Sequence, residues 1–375
     1  MTLSTKPSQH LIPFSRHTMS PIHSLPLELI DIIIDHAHDN PPLLAACSLV
    51  CKAWFPTSRY HLFENATLNA DNAYPFIKLL NSDSPTVIPY IRRIEAKDNR
   101  EGTPWLSDLL PCLIALTSVT SISITSSFEN NPLSTRILYT LHAFDTLVEL
   151  KLSECEFNDF AEVQSLICAF PLLESLYLEA DWPKPSAITP TQGCPSPHLR
   201  ELYLRCEMSH VLEWFLMQPH VAPVSTLTLH GINTFELPVV SRYLETLGPA
   251  LTHLTIYPAG SVYGNTDSLP NSVDLSYNTC LRSLSFVMDC DSAELIMANA
   301  LLSQVESPCF SDVLLSFYTV RRNPKTDGPW TDLDAFFTRT ASMKSVTVTA
   351  MSGTSLAKEA LPRSHNCGIL RVKHL

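Results

Sequence analysis

Apolar and polar positions alternate in a six-residue form, L-x-x-L-x-L, that recurs along most of the chain. It reads "LVELKL" from Leu147, "LESLYL" from Leu173, "LRELYL" from Leu199, "LTHLTI" from Leu251 and "LRSLSF" from Leu281. Softer copies are "VTSISI" from Val119, "VSTLTL" from Val224 and "MKSVTV" from Met343, and the weakest are "IRRIEA" from Ile91 and "DVLLSF" from Asp312. The central anchors are Ile94, Ile122, Leu150, Leu176, Leu202, Leu227, Leu254, Leu284, Leu315 and Val346. Successive anchors lie 28, 28, 26, 26, 25, 27, 30, 31 and 31 residues apart. Alternation with period two predicts a strand with one buried face at each anchor. Between anchors the period becomes helical, as in "STRILYTLHAF", "FAEVQSLICAF", "SHVLEWFLMQ", "PVVSRYLETLG" and "SAELIMANALLSQV". A strand and a helix repeated at this interval predict an α/β leucine-rich-repeat solenoid, with a parallel curved sheet and helices on its convex side. The competing fold, a doubly wound α/β domain, would have mixed strand order and no fixed period.

The segment before the repeats has a different pattern. "LPLELIDIIIDHAHDNPPLLAACSLVCKAWFPTSRYHLF", Leu25 to Phe63, predicts two short helices joined by a Pro-Pro turn and followed by a strand. Leu25-Pro26 opens the first helix, with Ser24 placed to cap it. Leu29, Ile30, Ile33, Ile34 and Ala37 form one helical stripe, while Leu27 and Ile32 fall outside it. The second helix is expected at about Leu43 to Trp54. Leu44, Cys47, Val50, Cys51 and Trp54 share one of its faces, and Leu43, Ala46, Leu49 and Ala53 occupy the rest. Helices apolar on all sides are buried on all sides, and a unit of roughly 40 residues has little core of its own. Part of this surface therefore needs another partner.

"LPLELIDIII", "LLAACSLVCKAW" and "SRYHLF", in that order and spacing, resemble an F-box of the variant common among fungal F-box-like proteins. The resemblance covers about Leu25 to Leu68, and its loop "HAHDNPPL" is longer than the animal type. It implies docking on the Skp adaptor, and through it on a cullin, of a ubiquitin ligase. The matching positions are Leu25, Pro26, Leu29, Ile33, Leu44, Val50, Cys51 and Trp54. A helical cap closing a repeat array is the alternative, although a cap should have a polar outer face. The domain boundaries expected are a tail at 1–23, the F-box-like unit at 24–68, the repeats at 69–352 and a tail or last partial repeat at 353–375.

The net charge of −12 gives no electrostatic drive toward nucleic acid or anionic membranes. The 11 cysteines and the lack of a secretory signal pattern point to reduced thiols in the cytoplasm or nucleus. No phosphate-cradling glycine motif, nucleophile elbow or metal-ligand spacing occurs, so no enzyme activity, cofactor or metal is expected. Asp289 and Asp291 beside Cys290 read as a helix cap. Cys155 reads as a buried structural thiol. "DWPKPSAITPTQGCPSPH", Asp181 to His198, replaces a helix with a proline-rich loop.

Candidate binding chemistry lies on the solvent side of the strands. One column there is Lys151, Tyr177, Tyr203, Thr228 and Thr255. The next is Ser153, Glu179, Arg205, His230 and Tyr257, and the preceding one is Glu149, Ser175, Glu201, Thr226 and His253. Tyr and Arg are enriched at binding hot spots. Tyr177, Glu179, Glu201, Tyr203, Arg205, His230, His253 and Tyr257 are therefore the candidate target-binding residues, and alternation predicts them exposed. A solvated face with no ligand would show the same alternation. Two functions fit: a substrate receptor of a Skp–cullin–F-box ligase, or a protein-binding scaffold with no role in ubiquitination.

Overall fold

A computed structural model describes residues 25–83, 85–98, 105–126, 132–183, 193–258, 272–288, 292–317, 328–350 and 354–374. The N-terminal tail 1–23, the triplet Asp289 to Asp291 and most of the proline-rich loop lie outside these residues. Contacts divide the chain into two units, 1–64 and 65–375.

The second unit is built on one twelve-stranded sheet whose strands are adjacent in sequence order, β1 to β12. They span Asn65–Leu68, Arg93–Asp98, Ser121–Ser126, Glu149–Glu156, Ser175–Asp181, Glu201–Arg205, Thr226–Ile232, His253–Pro258, Ser283–Met288, Asp312–Phe317, Ser345–Ala350 and Leu370–His374. Every pair is parallel. This is the solenoid order, and the mixed order of a doubly wound fold is absent from it. The register runs Ile94, Ile122, Leu150, Leu176, Leu202, Leu227, Leu254 and Leu284 straight across the sheet. Each of these is essentially without solvent contact, and each such burial is worth about 1.5–3 kcal/mol.

Helices follow most strands, among them Thr135–Leu141, Phe160–Cys168, Met208–Leu216, Leu237–Leu247, Ser292–Ser303 and Pro329–Arg339. A sequential parallel sheet places its crossovers on one face. Helices are about 10 Å wide and strands about 4.8 Å apart, so the sheet curves away from its helical side.

Two positions differ from the sequence reading. The weak repeat near Leu315 is registered on Val313, which pairs with both Leu284 and Val346. A shift of two residues keeps the same face buried, so alternation cannot detect it. Strand β1, grouped by sequence with the helical segment, pairs with β2 through Ala66 and Ile94 and belongs to the sheet. At the C-terminal end, where a tail or a last partial repeat was open, Leu370–His374 form β12 beside β11.

Neighbouring repeats are stitched together at the strand entrances. Main-chain N–H groups of Val148, Glu174, Arg200, Ser225 and Thr252 donate to the carbonyls of Thr120, Val148, Glu174, Arg200 and Ser225. Hydroxyls add to this relay: Thr146 donates to the Val119 carbonyl and Thr252 to that of Ser225, each at 2.9 Å. Side chains also cap helices across repeats. Buried Glu236 accepts from the Met208 amide at 2.8 Å and from that of Asn233 at 3.1 Å. Burial raises its carboxyl pKa, while these amides pull it down. Asn278 donates to the carbonyls of Leu244 and Gly248, where Gly248 ends its helix at φ 49°. A positive φ of this kind favours glycine.

Among its described residues the first unit holds three helices, α1 (Leu27–Asp35), α2 (Pro41–Cys47) and α3 (Phe55–Phe63). Two sequence expectations are corrected here. The second helix ends at Cys47, and the segment expected as a strand is α3. At the end of α2, Leu49 and Val50 bond back three residues, to Ala46 and Cys47, as the chain turns. Pro56 lacks an amide hydrogen but fits the first turn of the new helix α3. In α3, Arg59 lies 4.7 Å from the Phe55 ring centre and 5.3 Å from that of Phe63, a spacing of four residues each way that only a helix provides. Thr57 donates to Asp31, and His61 meets Asp35 at 2.7 Å, which fixes α3 against α1.

Candidate functional site

The helical unit divides its apolar residues between a core and an open side. Ile30, Ile34, Ala37 and Leu44 form the core, with Ala53, Trp54 and Leu62 packed on it. The α1 stripe is therefore split along its length. Ile30, Ile34 and Ala37 turn inward, whereas Leu29 and Ile33 are each 46% exposed. Leu25, Leu27, Ile32, Leu43, Leu49 and Val50 are also exposed, as is Pro26. Cys51 and Trp54 are half-buried. Leu44 corrects the sequence assignment: at 0% exposure it cannot touch a partner and instead holds α2 to α1. The cause is the helix phase of α2, which turns Leu44 and Cys47 inward and Leu43 outward.

On the sheet, the open face carries a file of stacked side chains across β4 to β8. Lys151 Nζ lies 4.7 Å above the Tyr177 ring. Tyr177 stacks on Tyr203 with centroids 3.9 Å apart and planes 10° apart. Tyr203 meets His230 at 6.5 Å, and His230 stacks on Tyr257 at 4.5 Å. Register produces this, because Lys151, Tyr177 and Tyr203 are successive cross-strand partners and His230 pairs with Tyr257. Stacked aromatic pairs add about 0.5–1.5 kcal/mol beyond area burial.

Tyr177, Tyr203, His230 and Tyr257 are half-buried, and Glu201, Arg205 and His253 are exposed. The four half-buried rings fall short of the expected exposure in part, and Glu179 departs from it furthest. Its position alternates outward as expected, yet it is only 7% exposed. Arg205 pairs with one of its oxygens, and the Tyr177 hydroxyl donates to the other at 3.1 Å. The neighbours that cover it lie on the same face, which a strand's own alternation does not reveal. Burial, the Tyr203 hydroxyl and Glu179 all raise the Tyr177 pKa, so its hydroxyl stays protonated.

Burial lowers the His230 pKa below its usual 6.5, and the Arg205 charge lowers it further, against an opposing pull from Glu179. Between the lowered value and 6.5 the folded ring binds fewer protons than the unfolded one. Its contribution to stability is complete above that window and is lost as pH falls through it. His142, lowered by burial, acts in the same sense. The urea midpoint should therefore fall between about pH 7 and about pH 5. His230→Gln should shrink the fall, and an equal fall in the variant would assign the effect to other groups.

A second cluster was not legible in the sequence. The indole of Trp182 donates to His210 Nδ1 at 3.1 Å, and His210 stacks on Phe160. The only sequence cue is the 28-residue spacing of Trp182 and His210, one repeat apart. Cys155 is fully buried, and burial pushes its thiol up to about 12. That suits a structural thiol and leaves little thiolate for chemistry. Among the described residues no group of three or more His, Cys, Asp or Glu side chains is placed to hold a metal ion. No helix among them is long and apolar enough to cross a membrane.

No protein-family model and no curated protein sequence matches the chain. Among solved structures, the leucine-rich repeat-containing protein LegL7 from Legionella pneumophila is 14% identical at a TM-score of 0.43, covering 86% of this chain and 95% of its own. A protein from Bacteroides fragilis is 12% identical at a TM-score of 0.36, covering 83% of this chain and 73% of its own. Neither likeness bears on function, and the solenoid architecture rests on the strand order and register described above.

Proposed function

We propose that the chain is a non-catalytic substrate receptor of a Skp–cullin–F-box ubiquitin ligase. The helical unit docks the Skp-type adaptor, and the open face of the sheet holds a target protein. One observation carries the docking half: Leu25, Leu27, Leu29, Ile32, Ile33, Leu43, Leu49 and Val50 are left uncovered by the core of their own unit. An apolar surface of this kind marks an interface. The stacked file supports the target half, since aromatic and arginine side chains dominate binding hot spots. Holding a target beside a charged ubiquitin-transfer enzyme raises effective concentration and needs no bond-making group in this chain.

The test is affinity capture of the full chain, with mass spectrometry for a cullin. The double variant Leu25→Ala with Pro26→Ala should weaken adaptor binding about tenfold or more, because each lost apolar contact is worth about 1.5–3 kcal/mol. Its helical content should stay unchanged, as both side chains are exposed. Capture of a target with no cullin would instead favour a scaffold without a role in ubiquitination.

A further inference from the structure

The open face carries two exposed carboxylates beside the aromatic file, Glu149 on β4 and Glu201 on β6. They stand in one row, because Glu149 pairs with Ser175 and Ser175 with Glu201. Two strand steps separate them, about 9.6 Å. Among the described residues neither joins an ion pair, and Glu201 accepts only a 3.3 Å bond from the Ser175 hydroxyl. Beside the file Arg205 pairs with Glu179 and Lys151 lies over the Tyr177 ring, and exposed Arg93 stands in the same row two strands before Glu149. Around the file the carboxylates of Glu149, Glu179 and Glu201 outnumber the cations Lys151 and Arg205, and the whole chain carries −12.

We propose that this face seats an extended polyproline-II segment bearing two basic residues three positions apart. The proposal rests on the reading of the open face as the target site and names the target's chemistry. A polyproline-II helix has three residues per turn and rises about 3.1 Å per residue, so residues i and i+3 share one side about 9.3 Å apart. That repeat matches the interval from Glu149 to Glu201. A β-strand would turn the same two residues to opposite sides. The remaining residues of such a segment lie along Tyr177 and Tyr203, and aromatic surfaces are the usual seat of this conformation. The stacked rings are held before any ligand arrives, so little side-chain entropy is lost on binding. His253 occupies the next place in the row, two strands beyond Glu201. An acidic segment is the poorer match, because Arg205 would have to leave its buried carboxylate to meet it.

The experiment titrates the full chain into two fluorescein-labelled, ten-residue proline-rich peptides of one composition. One carries arginines three apart, and the other carries them adjacent. The first should bind about fivefold or more tighter, and salt should weaken it. Glu149→Gln and Glu201→Gln should each cost about 1.4- to 5-fold, the range for exposed ion pairs, and together remove the preference. Tyr203→Ala should weaken both peptides. Circular dichroism of each variant checks that the fold is kept. Equal binding of the two peptides, or indifference to both Gln substitutions, would overturn the basic-segment proposal. If Tyr203→Ala then still abolished capture of a target, the target face would stand without it. A preference for the first peptide that survived Tyr203→Ala and both Gln changes would place the site elsewhere and overturn both readings.

Discussion

Leu44→Ala is expected to melt the helical unit while the sheet stays folded. Leu44 has no exposed surface and shares a four-residue core with Ile30, Ile34 and Ala37. Truncating a buried leucine costs about 2–5 kcal/mol, through lost transfer energy and the cavity left behind. A unit this small has little stability to spare. Limited proteolysis should then cut between residues 25 and 64 in the variant and spare the repeats. Leu29→Ala, on the open side of the same helices, should change stability by about 0.5 kcal/mol or less. Equal protease resistance of the two variants would show that the assignment of inner and outer sides is wrong. Leu44→Ala would also abolish adaptor capture, but through unfolding, so protection rather than binding is the informative measurement.

Asp334→Ala should release the C-terminal end of the sheet. Asp334 is buried on the helix Pro329–Arg339. One carboxylate oxygen accepts from the Arg363 amide at 2.9 Å, and the other accepts from the amide and hydroxyl of Ser364 at 2.8 and 2.6 Å. It therefore caps the five-residue helix Pro362–Asn366, which leads directly into β12. Hydrogen bonds to a charged group contribute about 1.5–3 kcal/mol each, and buried donors left unmatched carry a further penalty. A loss of about 3–5 kcal/mol is expected, with hydrogen-exchange protection of residues 362–374 falling furthest. Asp334→Asn keeps an acceptor and should lose less. Unchanged protection of β12 in Asp334→Ala would refute the capping role.

These two residues mark where sequence reading succeeds and fails. The strands near Leu150, Leu176, Leu202, Leu227, Leu254 and Leu284 were legible because each combines period-two alternation with a fixed interval. Strand β1 was not, since Ala66 stands where the other strands carry a large apolar anchor. Asp334 gave no signal, because a cap supplied from about one repeat away leaves no local pattern. The outward columns were legible as columns, but their contents were not. Whether Tyr177 stacks, or Glu179 is covered, depends on partners one strand away. In the helical unit, apolar periodicity located both faces of α1 but could not say which half packs inward.

The sequential order of β1 to β12 also bears on how the chain is made. Each strand pairs only with its immediate neighbours in sequence, and Asn65 meets Arg93 only 28 residues on. Contacts so local in a chain of 375 residues give a low relative contact order, the regime of fast folding. Synthesis at about 5–20 residues per second delivers one repeat every few seconds. Closing a short loop or forming a helix takes on the order of microseconds or less. Each new strand can therefore settle on the finished edge before the next leaves the ribosome, and the growing array never exposes more than one unpaired strand edge at its advancing end.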